Sequence, residues 1–278
     1  MRILICMLLG TLVQSFSFIP SSGILPAATK SQGMSMGTVA VFGASGLTGA
    51  EVTWQALQRG EKVVALARDP SKVTKPKGST GNDSEPMSDP SLTVLQGDVT
   101  NFEDVQKVFA ADKITGAVIA LGGKTSDVGP TMLTDGTTNV INAMKAAGVK
   151  RVACVTSIGA GDSEKQAPFF FKILMNTAMR SIFADKNKQE ALFTTPEGIG
   201  ADLEYTVVRP GGLTVDAPTG VINVIDGEAG SIPRADVATF CLGAVLEDDF
   251  PYLKGTPCIS SVGGTAWVKD RSAKARSG

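Results

Sequence analysis

Histidine is absent from this chain of 278 residues, which has only two tyrosines and four cysteines. Without histidine, the usual nitrogen donors for zinc and haem iron are missing. The cysteines do not fill that gap. Cys6 lies near the N-terminus, and Cys154, Cys241 and Cys258 are widely spaced, forming neither a metal-ligand cluster nor an even disulfide set. Unpaired thiols suit a reducing compartment. A basic excess is also lacking: the formal charge is −1, which argues against a nucleic-acid partner. No apolar run is long enough to span a bilayer, so no stable membrane span is expected.

The first 36 residues read as an address. Arg2 precedes the apolar stretch from Ile3 to Val13, the length of a signal-peptide core, with small residues at Ser15 and Ser17. Residues 1–17 are therefore expected to be a signal peptide. Residues 18–36 start with Phe18, contain Lys30, are rich in Ser, Thr and Ala and have no acid, as organelle transit peptides do. The pair resembles the bipartite presequence of algae with secondary plastids, which implies a plastid location. A secretory signal alone, with an extracellular or endoplasmic-reticulum location, is the alternative.

From residue 37 to about 265, short apolar runs alternate with helical patterns. Strands are predicted at Val39–Phe42, Lys62–Ala67, Leu92–Gln96, Ala117–Leu121, Val152–Thr156 and Tyr205–Val208. Helices are predicted at Leu47–Arg59, Phe102–Ala111, Gly136–Ala147 and over one long stretch from Pro168 to Phe193. Continuously apolar strands separated by helices make an α/β fold with a doubly wound parallel sheet. The polar, proline-containing stretch from Thr74 to Pro90 reads as a flexible loop, either a passive insertion or a flap over one end of a ligand. Residues 266–278, with Lys269, Arg271, Lys274 and Arg276, read as a solvated tail.

The first strand runs straight into Gly43, Gly46 and Gly49 and then a helix, with Ser45, Leu47 and Thr48 completing the turn. Gly43 permits the sharp turn, Gly46 lets phosphates approach the backbone, and Gly49 lets helix and strand pack closely. Such a turn seats a pyrophosphate on a helix N-terminus, and so predicts a dinucleotide site. The second strand ends at Ala67-Arg68-Asp69, where a dinucleotide's adenosine ribose would lie. An arginine there accommodates a 2′-phosphate and an acid binds a free 2′-hydroxyl. Arg68, seconded by Lys72, favours NADP(H) over NAD(H), while Asp69 keeps NAD(H) open. Gly97-Asp98-Val99 closes the third strand, placing Asp98 at the adenine amino group and Val99 on the ring. Leu121 and Gly122 leave room for a ribose after the fourth strand.

These stretches, with Val155-Thr156-Ser157, Lys186-Asn187-Lys188-Gln189-Glu190, the run from Tyr205 to Gly212 and the run from Ile232 to Ala238, resemble the atypical short-chain dehydrogenases of the NmrA-like, NAD(P)H-binding group. That group includes biliverdin reductase B and several plastid proteins. The resemblance runs from about Thr38 to Val262. It implies a single-domain Rossmann fold whose small C-terminal part, after Pro210, covers the nicotinamide. Pro210 and Gly211 are expected to frame the carboxamide.

Typical short-chain dehydrogenases place a tyrosine four residues before a lysine on the long helix. Here Tyr205 lies in a strand, Tyr252 follows Pro251 in a late loop, and the helix carries neither tyrosine nor histidine. The usual dyad is thus excluded. A small planar hydrophobic acceptor (flavin, quinone or linear tetrapyrrole) can take hydride and draw its proton from water. Ser157 is a candidate to bind an acceptor carbonyl or to cap its own backbone. Lys188 is a candidate to contact the nicotinamide ribose or to pair with Glu190 or Asp185 on the helix surface. In Phe169–Met175, the stripe of Phe171, Leu174, Met175, Ala178 and Ile182 reads as core, while Phe169, Phe170 and Ile173 read as a pocket or partner surface. Two functions follow: an NADPH-dependent reductase, or a non-catalytic dinucleotide-binding assembly or redox-sensing protein with a protein partner.

Overall fold

The computed structural model describes residues 37–123, 129–262 and 265–266. The expected signal and transit segments lie outside them, as does the expected tail apart from Ala266. Contacts divide the chain after Ser35, and every described element falls within the unit Met36–Gly278, which holds its own core.

The chain runs β1 (Thr38–Phe42), α1 (Leu47–Gln58), β2 (Lys62–Ala67), α2 (Lys77–Thr80), β3 (Leu92–Gln96), α3 (Phe102–Ala111), β4 (Ile114–Ile119), α4 (Met132–Ala147) and β5 (Arg151–Val155). It continues through α5 (Phe169–Asn176), α6 (Arg180–Thr194), β6 (Glu204–Pro210), β7 (Gly212–Thr214), β8 (Asn223–Val224), β9 (Ser231–Pro233), α7 (Arg234–Leu246), β10 (Cys258–Ser260) and β11 (Thr265–Ala266). Among the described residues, nine strands form one sheet in the order β11-β8-β10-β6-β5-β4-β1-β2-β3, and β7 pairs with β9 separately. Strands β1 to β6 and β10 are parallel; β8 is antiparallel to both β10 and β11. Strand order reverses between β1 and β4. A crevice opens at the carboxyl ends of strands at such a switch point.

Residues of β1 alternate between two cores, which is why its whole run is apolar. Val39 and Val41 pack with Val52 of α1 and Phe240 of α7, while Ala40 and Phe42 pack with Val105 of α3 and Met144 of α4. Helix α3 stands where the pattern placed it and most strands lie within a residue of their expected bounds, but β4 starts three residues before Ala117 and stops at Ile119, and β6 runs on to Pro210. Asn101 caps α3 by accepting from the Glu103 amide at 3.0 Å.

Three expectations change. Helix α4 begins at Met132, four residues before Gly136, because Asp185 of α6 caps it from outside: its carboxylate accepts from the Leu133 and Thr134 amides at 2.9 and 3.1 Å. The single long helix after Pro168 is two helices. Thr177 leaves helical geometry (φ −115°, ψ −96°), and its hydroxyl donates back to the Ile173 carbonyl at 2.7 Å. The broken helix also leaves Leu174 and Ala178 exposed, removing them from the expected core stripe. The stretch from Thr74 to Pro90 is anchored rather than loose. Met87 is buried in the core, its amide bonds the Val73 carbonyl at 3.0 Å, and the Ser79 amide donates to buried Glu51 at 3.0 Å.

Candidate functional site

At the end of β1, Gly43 has φ +95°, and a Cβ there would strike the Ala120 carbonyl oxygen. A Cβ on Gly49 would overlap the Gly43 carbonyl and crowd Ala44. Only glycine lets β1, β4 and α1 meet so closely. The Gly46 amide donates to the Gly43 carbonyl at 2.9 Å, closing the turn. Helix α1 then starts without a side-chain cap and without an acid in its first turn. The amides of Leu47 and Thr48 are first-turn donors that the helix cannot satisfy, at the positive end of its dipole. Their chemistry fits a pyrophosphate.

A cavity of about 720 Å³ opens over this turn. Gly43, Ser45, Gly46, Leu47 and Thr48 form its floor; Arg68, Asp98 and Val99 line one end, and Leu121 and Gly122 the wall beside β4. Gly49 lies beneath, as the spacer between helix and strand. The volume lies within the range of small-molecule and cofactor pockets.

At the Arg68 end, Asp69 turns away into its own loop. Its carboxylate accepts from the Ser71 amide at 3.1 Å and the Ser71 hydroxyl at 2.6 Å. Those bonds, with Lys72 at 3.8 Å, hold its pKa below the usual carboxylate value. Lys72 is thus paired with Asp69 and does not line the cavity. Asp98 is set by its neighbours: Oδ1 accepts from the Thr100 amide at 2.9 Å, and the Asp98 amide donates to Asp104 at 3.0 Å. Asn139 of α4 holds the Val99 carbonyl at 3.0 Å, and Gly136 leaves room for the Val99 side chain, which a Cβ would meet at 2.8 Å.

The other end of the cavity is lined by Gly123, Met132, Val155, Thr156, Leu213 and two cations, Lys186 and Arg234. The Lys186 ammonium donates to the Thr156 carbonyl at 3.1 Å. Burial lowers its pKa, against the opposing pull of Cys154, Glu190 and Asp185. Arg234 is held by the Leu213 and Thr214 carbonyls at 3.3 and 3.1 Å, and burial lowers its pKa as well.

Four further expected residues, besides Gly49 and Lys72, stand outside the cavity lining. Lys188 is exposed on α6 and outside the cavity lining. It lies two positions beyond Lys186, about 200° around the helix, so the two lysines face opposite ways. Four residues before Lys186 stands Ile182, where the dyad would have its tyrosine. The Ser157 hydroxyl donates to the Ile158 carbonyl at 2.9 Å, the backbone-capping role, and Ser157 does not line the cavity. Pro210 is buried at the end of β6, where its carbonyl accepts from Ile158 at 3.0 Å. Gly211 is small because the Gly230 carbonyl lies against it; Leu213, two residues on, reaches the cavity instead.

Beneath this end runs a buried polar chain that the sequence reading missed. The Thr156 hydroxyl donates to Glu190 at 2.6 Å, and Arg209 holds Glu190 through Nε and Nη2, the latter at 2.6 Å. Arg209 also reaches Asp162 at 2.5 Å. Burial works against the Arg209 charge, but Glu190 and Asp162 more than offset it and raise its pKa. The one signal was a charge inside an apolar strand, Arg209 after Val207-Val208. The Cys154 and Cys241 thiols are buried and desolvated, the latter pushed up to about 12, which makes both structural rather than nucleophilic. Among the described residues, no group of His, Cys, Asp or Glu could hold a metal, and no helix is long and apolar enough to cross a membrane.

Comparison with known proteins agrees with this geometry. A family model described as NAD(P)H-binding matches residues 43–248. An uncharacterized chloroplastic protein of Arabidopsis thaliana is 33% identical over 226 residues, covering 77% of this chain and 74% of its own. An anaerobilin reductase from Escherichia coli O157:H7 superposes with a TM-score of 0.59 at 26% identity, over 81% of this chain and 97% of that one. An oxidoreductase from Lactococcus lactis shares the fold, with a TM-score of 0.63 at 20% identity over 82% and 92%.

Proposed function

We propose, from the premise that this chain belongs to the NAD(P)H-binding family of atypical short-chain dehydrogenases, that it is an NADPH-dependent reductase of a planar acceptor such as a flavin, quinone or linear tetrapyrrole. The observation that carries this reading is the cavity's far end. Lys186 is retained there, Ile182 stands in the tyrosine's place, and Met132, Val155 and Leu213 supply apolar wall. A secondary alcohol or ketone needs a positioned proton donor; a conjugated acceptor does not.

When bound, the dinucleotide would supply the hydride. The chain's own residues bind and orient. The Leu47 and Thr48 amides would hold the pyrophosphate and Asp98 the adenine, while Lys186, positioned by the Thr156 carbonyl, would meet the nicotinamide ribose. Arg68 would take the 2′-phosphate. That preference for NADPH is supported by Asp69, whose carboxylate is bound to Ser71 and so does not compete for the ribose. Similarity to an anaerobilin reductase supports the reductase reading.

The catalytic unit is residues 37–265, and residues 1–36 are a plastid-targeting presequence, a reading supported by the similar chloroplastic protein of Arabidopsis. A fluorescent fusion of residues 1–36 is expected to enter the plastid of a secondary-plastid alga; secretion would overturn that reading. The activity test is anaerobic oxidation of NADPH with flavin, quinone and biliverdin. Turnover with at least one acceptor, lost in Gly49→Val, is expected. Tight NADPH binding with no turnover above buffer for any acceptor would overturn it and favour the non-catalytic binding protein.

A further inference from the structure

Among the described residues, the cavity lining carries three cations, Arg68, Lys186 and Arg234, against a single acid, Asp98. Two of the cations have a task in the reading above: Arg68 at the 2′-phosphate and Lys186 at the nicotinamide ribose. The pyrophosphate has the first-turn amides of α1 and the positive end of its dipole. Arg234 has no such task, and it stands at the wall that Leu213 provides, bonded to that residue's carbonyl.

The Arg234 guanidinium is held but not neutralised. Both of its bonds leave from Nη1, to the Leu213 and Thr214 carbonyls, and among the described residues Nε and Nη2 have no acceptor. The carboxylates of the neighbouring segments are engaged or exposed. Asp236, two residues on, accepts from the Thr219 and Gly220 amides at 3.0 and 3.1 Å, and Glu51 of α1 accepts from the Ser79 amide. Asp216, Asp226 and Glu228 are exposed, and none of these five acids lines the cavity. At Lys186, Glu190 and Asp185 offset part of the effect of burial, whereas at Arg234 burial acts unopposed.

A partly buried cation without a counter-charge costs free energy that an anionic ligand would recover. Fixing Nη1 leaves the edge formed by Nε and Nη2, whose parallel N–H pair matches two oxygens of one carboxylate or phosphate. Because the backbone already holds the guanidinium, little freedom is lost when that edge is used. A neutral ring alone would fill the apolar wall and leave the edge without an acceptor.

We infer that Arg234 is a specificity-determining residue that anchors an acidic substituent, a carboxylate or phosphate, on the planar acceptor. Acceptors bearing such a group are then favoured over neutral analogues with the same ring system. This assignment rests on the reading of the cavity as a reductase site.

The test is fluorescence titration of the Met36–Gly278 chain, loaded with NADP+, with two matched pairs: flavin mononucleotide against riboflavin, and biliverdin against its dimethyl ester. In at least one pair the acidic member is expected to bind about tenfold tighter or more, and Arg234→Met should bring the two members within about twofold. Thermal unfolding followed by circular dichroism checks that the variant is folded, and the wild-type comparison needs no variant. Equal binding of the two members in both pairs would overturn the inference, as would a preference that Arg234→Met leaves intact. So would a loss of about tenfold in NADP+ affinity with the preference unchanged, which would put the guanidinium on the pyrophosphate. The oxidised cofactor keeps this readout apart from turnover: a chain that binds the acidic acceptors through Arg234 and reduces none of them would fail the reductase reading alone.

Discussion

Arg68 and Asp69 are adjacent, yet their side chains have separate tasks. Asp69 is bound to Ser71 and Lys72, while Arg68 faces the cavity. Arg68→Ala is expected to weaken NADPH binding more than tenfold, about 1.4 kcal/mol or more, and to leave NADH binding within about twofold. Fluorescence titration with both cofactors checks this; equal losses would place Arg68 away from the 2′-phosphate. Lys186 gives a pH signature. Burial sets its pKa below the ordinary 10.5, so the folded chain loses the ammonium at a lower pH than the unfolded chain does. As pH rises through that window, affinity for the anionic cofactor should fall, while the penalty of a buried charge is relieved and stability should rise. Lys186→Arg should keep NADPH affinity flat across the window. An unchanged fall in that variant would assign the titration to another group. At this scale the sequence was legible where a residue's own backbone sets its place: Gly43, Arg68 and Asp98 follow strand ends, Gly46 precedes α1, and all four line the cavity. It was not legible where helix rotation decides. Lys186 and Lys188 look alike in a string of letters, and only the packed helix tells them apart.

Elements were legible from periodicity wherever their limits are local. Asn101 and the acids after it set the start of α3, and Gly148, in the left-handed region at φ +71°, ends α4. The start of α4 was hidden because its cap, Asp185, lies some fifty residues on. The break between α5 and α6 was hidden because Thr177 is tolerable in a helix and no glycine or proline stands between Phe169 and Thr194 to mark it. The pairing of α6 with β6 through Glu190 and Arg209 was equally non-local. Their side chains are only 2% and 5% exposed, so removing Glu190 leaves the buried Arg209 charge with exposed Asp162 as its remaining carboxylate. Glu190→Ala is expected to cost roughly 3–5 kcal/mol in chemical denaturation. Glu190→Leu/Arg209→Met together should cost much less, and a double variant as unstable as the single would contradict this account of the pair.

For the molecule as a whole, alternation of apolar runs and helices foretold the doubly wound sheet, and the order β3-β2-β1-β4-β5-β6 places the cavity at the switch between β1 and β4. The C-terminal part was legible only as a small covering region. Its strands β7 to β11 are two or three residues each, too short to show a period, and yet they bring Leu213 and Arg234 to the cavity. The central claim, that this cavity holds NADPH in the stated orientation, is tested most directly by a crystal structure of the Met36–Gly278 chain with NADPH. The account predicts the pyrophosphate on the Leu47 and Thr48 amides, the 2′-phosphate on Arg68 and the nicotinamide ribose within reach of Lys186. A dinucleotide bound with its 2′-phosphate away from Arg68, or outside the turn at Gly43, Gly46 and Gly49, would contradict it.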